Sequence, residues 1–134
     1  MIKIDTCDNI PNTLKIFDEI KYYYPGFNQW FSKCQALKRT ALVVEDFKAI
    51  TILKIKLNSI KICTFVVDSN FRKNNIGSQL MDNIKNFARS TKSINHLYLS
   101  VKNENTVFIS FCKKNDFSII NKNNDETIFQ FNLN

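Results

Sequence analysis

Phe65-Val66-Val67-Asp68-Ser69-Asn70-Phe71-Arg72-Lys73-Asn74-Asn75-Ile76-Gly77-Ser78-Gln79-Leu80 carries an apolar strand into a polar, basic turn and then directly into an amphipathic helix. Only two glycines occur in the chain, and Gly77 stands at the junction of turn and helix. The first turn of a helix leaves backbone N–H groups without partners, and the helix dipole makes that end positive. Small residues let an anion approach those groups closely. The segment therefore reads as a phosphate cradle. The plain alternative is a tight strand-to-helix turn that binds nothing.

Outward from this segment, the pattern fills out an α/β chain. Ile2 and Ile4 alternate with polar residues as a short strand, and Ile10, Leu14, Phe17 and Ile20 place a helix over roughly 10–23. Pro25-Gly26 ends it, and Phe27, Trp30, Phe31, Cys34 and Leu37 mark a second helix. Ala41–Val44 and Ala49–Leu53 flank Glu45-Asp46-Phe47-Lys48 as a hairpin. Ile60–Val67 has the composition of a buried strand. Ile76, Leu80, Ile84, Phe87 and Ala88 recur at helical spacing over roughly 75–90. Leu97, Leu99 and Val101 alternate, and Val107, Phe108, Phe111 and Cys112 mark a helix with Asn105 near its start. Phe117–Ile120 and Phe129–Leu133 close the chain across the turn Asn121–Asp125. The order is β-α-α-β-β-β-α-β-α-β-β, an α/β domain around one mixed sheet with helices on both faces.

The 134 residues read as one domain, residues 1–134, with 44% apolar residues and 12 Phe to build its core. No run of about 18 apolar residues occurs, which argues against a spanning helix and a membrane role. The N-terminus Met1-Ile2-Lys3-Ile4-Asp5 lacks a signal-peptide pattern. The four cysteines at 7, 34, 63 and 112 form no C-x-x-C pair. They argue against zinc or another metal and for reduced thiols in the cytoplasm. The formal charge of +7, from 19 Lys+Arg against 12 Asp+Glu, favours anionic ligands. Its lysines are scattered, so nucleic-acid binding is the weaker explanation.

Two motifs resemble those of the GNAT superfamily, the acyl-CoA-dependent N-acetyltransferases. Arg72-x-x-Asn75-x-Gly77-Ser78 is similar to its Q/R-x-x-G-x-G/A pattern, with Asn75 in place of the first glycine; Asn tolerates a left-handed backbone better than most residues. Asn105-x-x-Phe108-x-x-Phe111-Cys112-x-x-x-Asp116-Phe117 is similar to N-x-x-A-x-x-F-Y-x-x-x-G-F. Phe108 replaces a small residue there, Cys112 the tyrosine and Asp116 the glycine. The element order is also that of the GNAT fold.

The resemblance implies an acetyltransferase that uses acetyl-CoA as cosubstrate. It places Phe65 and Val67 where strands splay to receive the pantetheine arm, with the Val67 amide toward the thioester oxygen. It places Arg72, Lys73, Asn75, Gly77 and Ser78 on the pyrophosphate loop, and Asn105 near the cofactor's thiol end. Asn105 also suits a helix N-cap. Many family members protonate the departing thiolate with the tyrosine that Cys112 replaces. A thiol with a pKa near ~8.5 can donate a proton, although a small buried residue on the apolar helix face is the plainer reading of Cys112. Tyr98 and the tyrosines at 22–24 are other candidate acids. An amine with a pKa near ~10.4 must lose a proton before attack. The central strand offers no carboxylate for this, and Glu45 and His96 are the weak candidates for the base.

Tyr24, Phe27 and Trp30, around the Pro25-Gly26 break, are read as an acceptor wall, with core packing as the alternative. The acceptor is open: a small amine, a peptide N-terminus, a protein lysine or an aminoacyl-tRNA. A non-catalytic acyl-CoA-binding or interaction module of the same fold is the second reading, because the tyrosine is replaced and no base is evident. A small RNA-binding protein is the third, on charge alone.

Overall fold

The computed structural model describes residues 3–6, 40–44, 49–67 and 75–133. The helices expected over 10–37, with Tyr24, Phe27 and Trp30, lie outside the described residues. So do the turn that carries Glu45 and the loop residues Arg72 and Lys73.

Seven strands are described: β1 (Lys3–Thr6), β2 (Thr40–Val44), β3 (Ala49–Ile55), β4 (Ser59–Val67), β5 (His96–Lys102), β6 (Ser118–Lys122) and β7 (Glu126–Asn132). Two described helices, α1 (Ile76–Ser90) and α2 (Thr106–Lys114), fall between β4 and β5 and between β5 and β6. The strands form one mixed sheet in the order β1-β2-β3-β4-β5-β7-β6. Only β4 and β5 run parallel; α1 is the crossover such a pair requires.

Helix α1 supplies one side of the core. Leu80, Ile84 and Ala88 recur every fourth residue, so they share one face, and Met81 joins them. They pack with Leu53, Ile60, Ile62, Leu97, Leu99, Val101 and Phe129 from the strands. Lys85 lies on the same buried face, only 6% exposed. Its Nζ donates to the Asn115 carbonyl at 2.7 Å and rests over the Phe131 ring at 4.1 Å. The ammonium thereby satisfies a carbonyl at the end of α2 and ties the two helices together. Burial lowers its pKa from the ordinary 10.5, and Asp116 and Asp82 oppose that shift.

The C-terminus of α2 accounts for the aspartate at 116. Phe117 N–H donates to Cys112 O at 3.0 Å and Asp116 N–H to Lys113 O at 3.1 Å, the double closure of a Schellman motif. That closure needs a left-handed residue, and Asp116 has φ 70°. Glycine would take this conformation without the Cβ clash. Asp116→Gly is expected to stabilise the fold by about 1 kcal/mol, read as a rise of a few degrees in Tm. An unchanged or lower Tm would show that the Asp116 charge near Lys85 outweighs the backbone strain.

A β-bulge in β4 matters most for the site. Leu53 pairs with Ile62 and Ile52 with Thr64, so Cys63 is the extra residue between them. Ile60 and Ile62 face the core before the bulge, and Phe65 and Val67 pack against it afterwards. One inserted residue therefore shifts the alternation by one. The Thr51 hydroxyl, fully buried, donates to the Thr64 carbonyl, and Thr64 Oγ1 donates to the Cys63 carbonyl at 2.9 Å. These bonds hold the bulge in place.

Candidate functional site

Ser59, Ile60 and Lys61 pair with His96, Leu97 and Tyr98, and there the β4–β5 ladder ends. The bulge begins two residues later, and bulges bend and twist the strand that carries them. The two strands part into an opening of about 520 Å³. Its walls are Ile62–Val66 of β4, Leu99–Lys102 of β5, and Glu104, Asn105 and Phe108 at the start of α2.

Residues of both faces of the sheet line the opening. Ile62, Phe65, Leu99 and Val101 belong to the core side, which carries the two described helices. Thr64, Val66, Ser100 and Lys102 alternate with them and belong to the opposite, back face.

On the helix side the opening is rimmed by rings. Phe65, Phe108 and Phe111 lie 5.3–5.6 Å apart between centroids, with Phe108 stacked on Phe111. Gly77 packs against them. A Cβ there would meet Phe111 Cε1 at 3.2 Å and Phe65 Cε1 at 3.7 Å. Gly77 thus has a packing reason of its own.

The N-terminus of α1 lies beside this rim. Asn75 precedes the helix with φ 61° and ψ 13°, the left-handed conformation expected of a residue in a glycine's place. Its side chain caps nothing, and the first turn contains no acidic residue. The amides of Ile76, Gly77 and Ser78 have no partner within the helix. Asn105 caps α2: its Oδ1 accepts from Phe108 N–H at 3.3 Å, while the residue also lines the opening. Asn103 braces this loop by donating from Nδ2 to the Asn123 carbonyl at 2.8 Å and accepting from the Thr127 hydroxyl at 2.7 Å.

The remaining expected residues are placed as follows. Tyr98 stands at the last paired register, half-buried, with its ring 6.1 Å from that of His96 and Lys56 Nζ 5.1 Å from its centroid. Cys112 is fully buried and belongs to the core cluster. Burial pushes its thiol from the ordinary 9.0 to about 12. Neither Cys112 nor Tyr98 is among the residues that line the opening, and full burial in the core favours the packing role for Cys112. Val67 packs against the core just beyond the lining residues. Glu104, which the sequence reading passed over, is the one carboxylate among the residues that line the opening. Its signal was its place beside Asn105, legible only once that loop is known to turn into the site. Among the described residues no group of His, Cys, Asp and Glu is arranged to hold a metal ion. No described helix is long and apolar enough to cross a membrane.

The β4–β5 pair splits beyond Lys61 and Tyr98, and an uncapped helix N-terminus lies beside the split. The family model for the GNAT acetyltransferases matches residues 14–117, and the chain belongs to that family. Solved structures share the fold. The N-acetyltransferase PseH of Campylobacter jejuni in complex with acetyl coenzyme A aligns over 98% of this chain and 99% of its own, at 17% identity and TM-score 0.77. A GNAT acetyltransferase from Elizabethkingia anophelis with acetyl-CoA bound aligns over 98% and 97%, at 15% identity and TM-score 0.75. The ribosomal-protein-S18-alanine N-acetyltransferase of Escherichia coli aligns over 99% and 94%, at 16% identity and TM-score 0.71. No curated protein matches the chain significantly by sequence.

Proposed function

We propose that the protein is an N-acetyltransferase that moves the acetyl group of acetyl-CoA to a primary amine by direct attack on the thioester. The observation that carries this reading is the opening where β4 and β5 part beyond Lys61 and Tyr98. The residues present fit the coenzyme. The uncapped first turn of α1, free of acidic side chains, suits a pyrophosphate, and the Phe65 and Phe108 rings and Asn105 suit an uncharged arm laid between α1 and α2. Arg72 and Lys73 precede that turn in the chain and add positive charge to it. The PseH and Elizabethkingia relatives, solved with acetyl-CoA, support the assignment.

Acetyl-CoA supplies, when bound, an acyl carbon already activated as a thioester. The chain's residues do the rest. Asn75, Gly77 and Ser78 hold the phosphates mainly by main-chain amides. Asn105 and the Val67 backbone orient the reacting end. Glu104 takes a proton from the acceptor ammonium through water, so that a neutral amine faces the carbonyl. Tyr98, at the apex, returns a proton to the departing sulfur. Cys112 keeps its proton within the core. Tyr24, Phe27 and Trp30 contribute the acceptor wall. The free thiols Cys63 and Cys112 support a cytoplasmic setting for the enzyme.

Release of free coenzyme thiol on incubation with acetyl-CoA and a panel of amines tests the proposal. A Tm raised by acetyl-CoA with no thiol released from any amine would instead establish the non-catalytic binding module. Cys112→Ala adds a check on the acid. It is expected to leave kcat within about twofold while costing about 1 kcal/mol of stability, the scale of one buried methylene. A fall in kcat of about 10²-fold or more would return the acid role to Cys112.

A further inference from the structure

Among the described side chains, the back face at the apex gathers positive charge. Lys54 of β3 pairs in register with Lys61 of β4, and Lys61 pairs with Tyr98 of β5. Lys56 reaches over the Tyr98 ring from the β3–β4 turn, and the His96 ring lies beside it. Ile60 and Ile62 are buried on the core side, so Lys61 and its partners face the other way. Register places Asp5 of β1 on this face, in line with Ala41 and Ile52, and Glu126 opposite Lys102, four residues along β5 from Tyr98. That is about 13 Å at the rise of an extended strand. Like charges directly opposite on neighbouring strands are destabilising, and their Cβ atoms are about 5 Å apart. Two ammonium groups so placed can hold one anion between them, and Lys56 adds a third. Lysine suits phosphate as a point charge.

Resting on the acetyltransferase reading above, we infer that the acceptor is a small amine that carries a phosphate group. Lys54, Lys56 and Lys61 hold the phosphate on the back face, and the amine reaches the apex beside Tyr98. The coenzyme side and the acceptor side of the sheet then each have their own phosphate-binding charge. Lys54 and Lys61 are kept opposed, at a cost to the apo fold, because the substrate neutralises them.

The test compares acceptors matched except for charge: 2-aminoethyl phosphate, ethanolamine, β-alanine and spermidine, each with acetyl-CoA at low salt. Turnover of 2-aminoethyl phosphate is expected to exceed that of ethanolamine by about tenfold or more in kcat/KM, the scale of one charge-assisted hydrogen bond. Added salt should shrink the ratio. The double variant Lys54→Gln/Lys61→Gln should bring the ratio near one, through KM for the phosphorylated amine. Its Tm should match or exceed that of the native protein, because the like-charge pair is gone. Equal turnover of ethanolamine, a preference for β-alanine or spermidine, or a ratio that survives the double variant would overturn the inference. Calorimetric titration of 2-aminoethyl phosphate into protein saturated with coenzyme A reads the same site without turnover. Should no amine be acetylated, the transferase reading fails by itself. Lysine-dependent binding in the titration then still supports the phosphate site, and absence of binding overturns it.

Discussion

Tyr98→Phe is expected to lower kcat by about 10²–10⁴-fold, the usual range for removing a positioned proton donor, while KM for acetyl-CoA changes little. The ring stays, so its contacts with His96 and Lys56 survive. Only the hydroxyl at the last paired register of β4 and β5 is lost. A variant with native kcat would remove Tyr98 from the chemistry and leave the proton to solvent entering the opening.

The second large effect is expected at Gly77. Gly77→Val puts branched carbons where a single Cβ already stands 3.2 Å from Phe111 and 3.7 Å from Phe65. Overpacking of this kind costs about 1–3 kcal/mol. The displaced rings rim the opening, so the rise in Tm given by acetyl-CoA should vanish as well. Gly77→Ala separates the two effects. Its Cβ asks the Phe111 ring to give by a few tenths of an ångström, so the fold should survive with a weakened coenzyme response. A full coenzyme-induced shift in Gly77→Val would exclude this helix end from the binding site.

Alkaline stability offers a third measurement. Cys112 is raised in the fold from 9.0 to about 12, so above 9 the unfolded chain loses a proton that the folded chain keeps. The stability this group contributes is complete below 9.0 and lost as pH climbs through about 12. One such proton gives a slope of at most about 1.4 kcal/mol per pH unit. Lys85 acts the other way, because burial lowers its pKa below 10.5 and the folded chain releases its proton first. Cys112→Ala should therefore flatten the alkaline decline in Tm. An identical decline in the variant would assign it to other groups.

Much of the described fold was legible in the chain because periodicity reports burial. The 3.6-residue recurrence of Leu80, Ile84 and Ala88 and the alternation of Leu97, Leu99 and Val101 are the same facts that the packed core shows. The turn into α1 was also legible. Gly77 marked it, and Asn75 takes the left-handed conformation that its side-chain type permits. The β4 bulge was written in the sequence too, as a switch from Ile60 and Ile62 to Phe65 and Val67. A continuous apolar run hides such a switch, since every residue in it suits either face.

What the sequence by itself determined is the order of the described elements and the family, because local propensity, burial period and motif spacing are properties of neighbours along the chain. The tertiary structure alone decided which groups share the opening. Glu104 meets Cys63 and Thr64 there only because β4 and β5 part after Lys61 and Tyr98. Cys112, which holds the motif's tyrosine position, turns into the core. The charge of Lys54, Lys56 and Lys61 looked scattered along the chain and becomes one cluster when β3, β4 and β5 lie side by side. Strand register brings together residues far apart in sequence, and no pattern of near neighbours encodes it.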